Sequence, residues 1–194
     1  MAVNVRVADV RSHLARNLLV SSLFAGLTAL SARIAIPLGT VPFTLQVLIV
    51  LLSGLVLGSR WGAVSQLEYV LAGLLGAPIF AGGISGPAIL LSPTFGYIVG
   101  FIVAAFLTGL LSEKRNDSRG AFLAGAVGVA AIYLLGGLWL SGWLMRNGVS
   151  TVASLPHDIW IMGIAPFILP DLAKAAVAAF VAFGGKALLE SMDA

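Results

Sequence analysis

The chain contains no cysteine, so it has neither a disulfide framework nor thiolate chemistry, and its redox compartment is undetermined. Charge is scarce as well. Charged residues make up 10% of 194 positions, against roughly 25% in soluble domains. The two histidines, His13 and His157, are far apart and have no neighbouring metal-ligand pattern; each reads as a loop or interface residue. A phosphate-binding loop is missing too. The nearest stretch, "FGGKA" (183–187), lacks the first glycine four residues earlier and has Ala187 where a Ser or Thr would hold magnesium. Any energy from ATP must therefore come from another chain.

What is present is apolar: 59% hydrophobic residues and a mean hydropathy of +1.04. These values mark an all-α integral membrane protein, and no polar stretch is long enough to fold separately, so residues 1–194 read as a single membrane domain. The net charge of +3 could suggest a nucleic-acid partner. In a membrane chain it is better read as orientation, because Lys and Arg collect in cytoplasmic loops. A membrane helix needs about 20 largely apolar residues, and six stretches qualify: 17–36, 43–58, 61–79, 93–111, 121–144 and 167–189. The second and third are short, joined by "GSRW" (58–61). Arg6, Arg11 and Arg16 precede the first span and Arg60 joins the second and third. Lys114, Arg115 and Arg119 join the fourth and fifth, and Lys186 lies near the end. Six spans with both termini cytoplasmic put all of these on one side, with Arg33 and Arg146 opposite.

Some features have two readings. "ALSA" (29–32) has the small residues of a signal-peptide cleavage site. The apolar run continues to Leu38, however, and loss of this span would disturb the charge bias, so an uncleaved first span is expected. Residues 80–92, "FAGGISGPAILLS", are rich in Gly with one Pro and either lie at the surface or fold back into a site. Within them "GISG" (83–86) resembles the nucleophile loop of rhomboid proteases. That chemistry needs a base positioned against Ser85, and His157, in "LPHDIW", sits in an apparently polar connection. A flexible Gly-rich loop is the plainer reading. Ser21, Ala25 and Ala29 recur at four-residue spacing in the first span. Such positions let helices approach closely, either within the chain or against a partner subunit.

The ionisable residues inside apolar segments are the strongest pointers, because such groups are expensive in lipid and functional candidates by default. "ILPDLAKAAVAAF" (168–180) carries Asp171 and Lys174 three residues apart, hence on one helix face. If Pro170 opens that helix, both lie near its outer end. They then form either a structural ion pair or the polar corner of a ligand cavity. Glu68, in "SQLEYVL", is a second such residue without an assigned role.

Several stretches together resemble the BioY family, biotin-specific S components of energy-coupling-factor (ECF) transporters. "VPFTLQ" (41–46), "PIFAGG" (78–83), "SPTFGY" (92–97) and "PDLAK" (170–174) occur in that order, while residues 112–166 are not distinctive. The resemblance implies a six-helix S-component bundle in the cytoplasmic membrane, crossing it several times. It implies a biotin cavity on the outer side, roofed by the loops after spans one and three, with no covalently bound cofactor. Asp171, Lys174 and Tyr97 are the implied ligand contacts, with Phe43, Thr44 and Gly83 beside them. It further implies a transmembrane coupling protein, two ATPases that alone use ATP, and docking through Ala25 and Ala29. Glu68 departs from the family, which usually has an apolar residue there. An S component for another small vitamin, or a rhomboid-like protease, is the alternative.

Overall fold

Helix α1 (Ala2–Ser31) is followed by a short antiparallel hairpin, β1 (Ala35–Ile36) and β2 (Phe43–Thr44), in which Ala35 faces Thr44 and Ile36 faces Phe43. The first span thus ends at Ser31, earlier than the expected residue 36. The second span begins after Phe43–Thr44, because those two residues are strand and the helix starts at Gln46. The computed structural model describes residues 2–114 and 117–192, with side chains over 12–114 and 117–184. Of the basic residues that orient the chain, Arg6, Arg11, Arg115 and Lys186 lie outside the described side chains, as does the "GKA" part of "FGGKA".

Helix α2 (Gln46–Leu74) doubles back on itself at Gly58, whose φ of 77° and ψ of 178° are open to glycine alone. Gln66 Nε2 donates to Ser53 Oγ at 3.3 Å and Gln46 Nε2 to Tyr69 Oη at 2.8 Å. A straight helix would hold the second pair roughly 35 Å apart. The two arms are therefore antiparallel, and the hairpin expected from "GSRW" is present. Helix α3 (Phe95–Ser112) closes against the turn, with Glu113 Oε1 accepting the Ser59 N–H at 2.7 Å.

Helix α4 (Ser118–Arg146) packs along α3 through a seam of small residues. A Cβ added at Gly100 would lie 3.0 Å from the Ile132 Cα, and one at Gly96 would meet the Leu135 carbonyl oxygen at 2.5 Å. In lipid, where burying a leucine side chain against another gains little over leaving it in hydrocarbon, such close backbone approach is what draws helices together. The chain then enters α5 (Leu155–Ile159), a π-turn (Trp160–Ile164) and α6 (Ala165–Met192).

Pro170 does not open a helix. It lies inside α6, which begins at Ala165. Membrane helices tolerate proline because neighbouring groups and local adjustments of the helix satisfy the freed backbone. Asp171 and Lys174 are consequently well inside the helix and not at its end. Among the described residues five helical stretches are long and apolar enough to cross a membrane, one of them the folded-back α2 and one running from α5 through the π-turn into α6, Leu155–Gly184.

Candidate functional site

Asp171 and Lys174 lie three residues apart on α6 and both turn inward, 3% and 6% exposed. Lys174 Nζ donates to Asp171 Oδ1 at 2.7 Å and to the Thr44 carbonyl at 2.6 Å. The same ammonium stands 4.0 Å from the centre of the Phe43 ring, near enough for a cation–π contact. The other carboxylate oxygen, Oδ2, accepts from the Tyr133 hydroxyl of α4 at 2.8 Å. A buried charge is tolerable when paired and hydrogen-bonded, and here both carboxylate oxygens have partners. Asp171 and Lys174 are thus a closed pair whose other contacts come from β2 and α4.

The pair forms one wall of a cavity of about 60 Å³, room for a few water molecules. Apart from these charges the walls are mostly apolar: Val41, Val47, Ile98, Phe101, Ile132 and Phe167. Thr44, Gln46, Thr94, Tyr97 and Tyr133 supply uncharged polar groups. Tyr97 is 7% exposed, and its hydroxyl donates to the Gly163 carbonyl at 3.1 Å, in the π-turn before α6. Two connections also line the space. The β1–β2 hairpin contributes Thr44, and the loop over 80–92 contributes Ala81. That loop folds as two 3₁₀ turns, Ala81–Gly83 and Gly86–Leu91. Phe80, fully buried, holds one end edge-on against Tyr69. At the other end Trp143 Nε1 and Trp139 Nε1 donate to the Leu91 and Ser92 carbonyls at 2.8 and 2.9 Å.

Thr44, Tyr97, Asp171 and Lys174, singled out from the sequence, therefore meet at one cavity. Phe43 stands beneath Lys174 and is not among the cavity-lining residues; Gly83 is exposed, and its neighbour Ala81 takes the place at the wall. Ala25 and Ala29 are half-buried and pack on the protein's own core, with α1 resting on α2. Glu68 lies away from the cavity. Its Oε1 accepts from Ser21 of α1 at 2.7 Å, and its Oε2 is buried without a hydrogen-bond partner among the described residues. His157 lies in the five-residue α5; it is exposed and 3.6 Å from Asp158.

Sequence reasoning passed over Tyr133, Gln46 and Tyr69. Tyr133 sits in "AAIYLLGG", within the stretch where the resemblance was weakest, and its signal was a lone phenol in an apolar span. Gln46 closes "VPFTLQ", where an amide in the first turn of a membrane helix was the available sign.

Comparison with known proteins gives a consistent picture. The BioY family model matches residues 3–191. A probable biotin transporter BioY of Pyrococcus horikoshii is 40% identical over 87% of this chain and 94% of its own. The biotin transporter BioY of Thermotoga maritima is 39% identical over 89% and 97%, and that of Rhodobacter capsulatus is 40% identical over 86% and 91%. Among solved structures, the S-component for biotin from an ECF-type ABC transporter superposes with a TM-score of 0.76. It covers 90% of this chain and 93% of its own at 23% identity, which speaks for a shared fold.

Proposed function

The chain belongs to the BioY family, and from that premise we propose that it captures biotin and carries it across the cytoplasmic membrane as the substrate-specific component of an ECF-type transporter, without covalent chemistry. The observation that carries this reading is the Asp171–Lys174 pair, buried at the wall of an otherwise apolar cavity. Biotin offers a ureido group with two N–H donors and one acceptor, an apolar sulfur ring and a carboxylate tail. A carboxylate can accept the N–H groups and an ammonium can donate to an oxygen, while the hydrocarbon walls take the ring.

Ligand sites for molecules of this size span about 300–1,000 Å³, so the space between the pair and its roof must widen to admit biotin. The hairpin at Thr44 and the turns around Ala81 and Gly83 are the elements to move, since Thr44 and Ala81 line the cavity from connections and not from long helices. The positive φ of Gly83, 76°, gives that loop a conformation few other residues adopt. Phe43 acts through Lys174, as a surface on which the ammonium rests.

The six-crossing topology with cytoplasmic termini belongs to the same reading. The bond from Ser59 to Glu113 joins the α2 turn to the end of α3, which sets Arg60 and Lys114 at one end of the bundle. Arg33 Nη2 reaches the Pro78 carbonyl at 2.7 Å, at the end of α2 away from that turn. The split supports a cytoplasmic side at Arg60 and Lys114. A transmembrane coupling protein and ATPases supply the energy, meeting the chain along α1 near Ala25 and Ala29.

The test is purification in detergent followed by mass spectrometry of retained small molecules and calorimetric titration with biotin. Retained biotin and saturable binding are expected. A different vitamin retained, with no response to biotin, would shift the specificity. Fluorophosphonate labelling of Ser85 would revive the protease alternative.

A further inference from the structure

Tyr69 reaches no part of the cavity wall. It is 1% exposed, packed edge-on against Phe80 at 5.5 Å, and its hydroxyl lies between two groups. On one side is the Ile79 carbonyl at 3.4 Å, on the other Gln46 Nε2 at 2.8 Å. A carbonyl oxygen can only accept, and a phenol has one proton. With Tyr69 giving that proton to Ile79, it accepts from Gln46. The Gln46 amide is thereby forced to turn its nitrogen toward Tyr69 and its oxygen toward Thr44, whose hydroxyl donates to Oε1 at 3.1 Å. The Thr44 hydroxyl in turn accepts the Gln46 backbone N–H at 3.3 Å. Flipping the amide would set its oxygen against the Tyr69 oxygen, pull the phenol proton away from Ile79 and leave that carbonyl unpaired. Of the two orientations of the amide, the one with Nε2 on Tyr69 keeps the 3.4 Å contact to Ile79 together with both bonds of Thr44.

Gln46 itself lines the cavity and is 4% exposed. Its oxygen is engaged by Thr44, while Nε2 carries two protons and spends one on Tyr69. We infer that Gln46 is a specificity-determining residue that presents an N–H donor to the ligand, and that Tyr69 is the positioning residue that fixes this polarity from outside the site. The occupant must then place an oxygen acceptor at Gln46, either the ureido oxygen or a carboxylate oxygen; a ligand with an N–H there is rejected. The inference rests on the biotin reading and assigns the direction of one hydrogen bond within it.

The experiment compares the affinities for biotin, 2-iminobiotin and biotinol, by calorimetry in detergent, of the wild-type chain and of Gln46→Glu, Gln46→Leu and Tyr69→Phe. In 2-iminobiotin N–H donors replace the ureido oxygen; in biotinol a hydroxyl replaces the carboxylate. Gln46→Glu and Tyr69→Phe should each lower the preference for biotin over one of these analogues by about tenfold or more, the scale of one buried hydrogen bond. The analogue affected tells which oxygen Gln46 meets. Gln46→Leu should weaken biotin by a similar factor. A Tyr69→Phe chain that melts earlier yet keeps both wild-type preference ratios would make Tyr69 merely structural and overturn its role. Unchanged ratios in Gln46→Glu would overturn the donor assignment. Failure of the wild-type chain to bind biotin at all would instead remove the reading on which both rest.

Discussion

Tyr133 and Asp171 are separated by 38 positions in sequence and by 2.8 Å in the fold, with the phenol donating to the carboxylate. With Lys174 on the other oxygen at 2.7 Å, each carboxylate oxygen has one partner within the protein. Each carboxylate oxygen has a second lone pair, so under the proposed reading a ligand N–H can join these bonds as well as replace one of them.

It follows that removing either charge should damage binding more than folding. Asp171→Asn and Lys174→Ala are each expected to weaken biotin by about tenfold or more, because a ligand group left unpaired in a buried site costs about 1–3 kcal/mol. Each single change also strands its charged partner in the interior, so some stability is lost with it. The double variant Asp171→Asn with Lys174→Met should regain that stability and still fail to bind. Titration calorimetry and thermal unfolding separate the two effects; wild-type affinity in both single variants would leave the pair a structural one.

The α2 turn offers a test of the fold alone. Gly58→Ala places a side chain at φ 77°, ψ 178° and sets its Cβ 2.9 Å from Glu113 Oε1. A loss of about 1–3 kcal/mol is expected from the backbone conformation, read as a lower unfolding temperature. The affinity of the protein that remains folded should be unchanged, since the turn does not line the cavity.

Glu113 gives that turn a pH dependence. The Ser59 N–H donated to its carboxylate, helped by the Arg60 charge, holds this group below its ordinary value of 4.5. A carboxylate lowered in the folded state stabilises it above the ordinary value, and the contribution fades as pH falls through the lowered one. Glu113→Gln should therefore differ most from the wild-type chain near neutrality and converge with it in acid. Unfolding temperatures from pH 7 downward check this; a constant difference between the two chains would mean that the charge is idle.

On α1, Ala29 is half-buried against the core but also borders a shallow groove with Leu23, Leu27 and Leu30. Ala29→Trp should abolish capture of a coupling protein while biotin binding persists, because the groove and the cavity share no lining residue. Affinity pull-down from membranes that contain the ECF partners measures it. Undiminished capture with a lowered unfolding temperature would assign Ala25 and Ala29 to internal packing.

Composition alone made this a membrane protein, since so few charges and so much hydrocarbon leave no soluble alternative. Local spacing went further. Three positions between Asp171 and Lys174 place them on one helix face whatever surrounds the helix, and "GSRW" between two apolar runs is a turn wherever the hairpin stands. The same local reasoning failed at Pro170, which stands five residues into α6 and does not open it. Nor could it orient a helix about its axis. In water an apolar stripe marks the buried face, but in lipid both faces are apolar: Leu19, Leu169 and Phe180 are 73%, 79% and 75% exposed here, while Leu51 and Leu140 are fully buried. Hydropathy cannot distinguish the two groups, because hydrocarbon and protein interior solvate a leucine alike. Which tyrosines and amides turn inward was thus a matter for the tertiary structure. Tyr133, Gln46 and Tyr69 found their partners across helices, through hydrogen bonds that lipid could not supply.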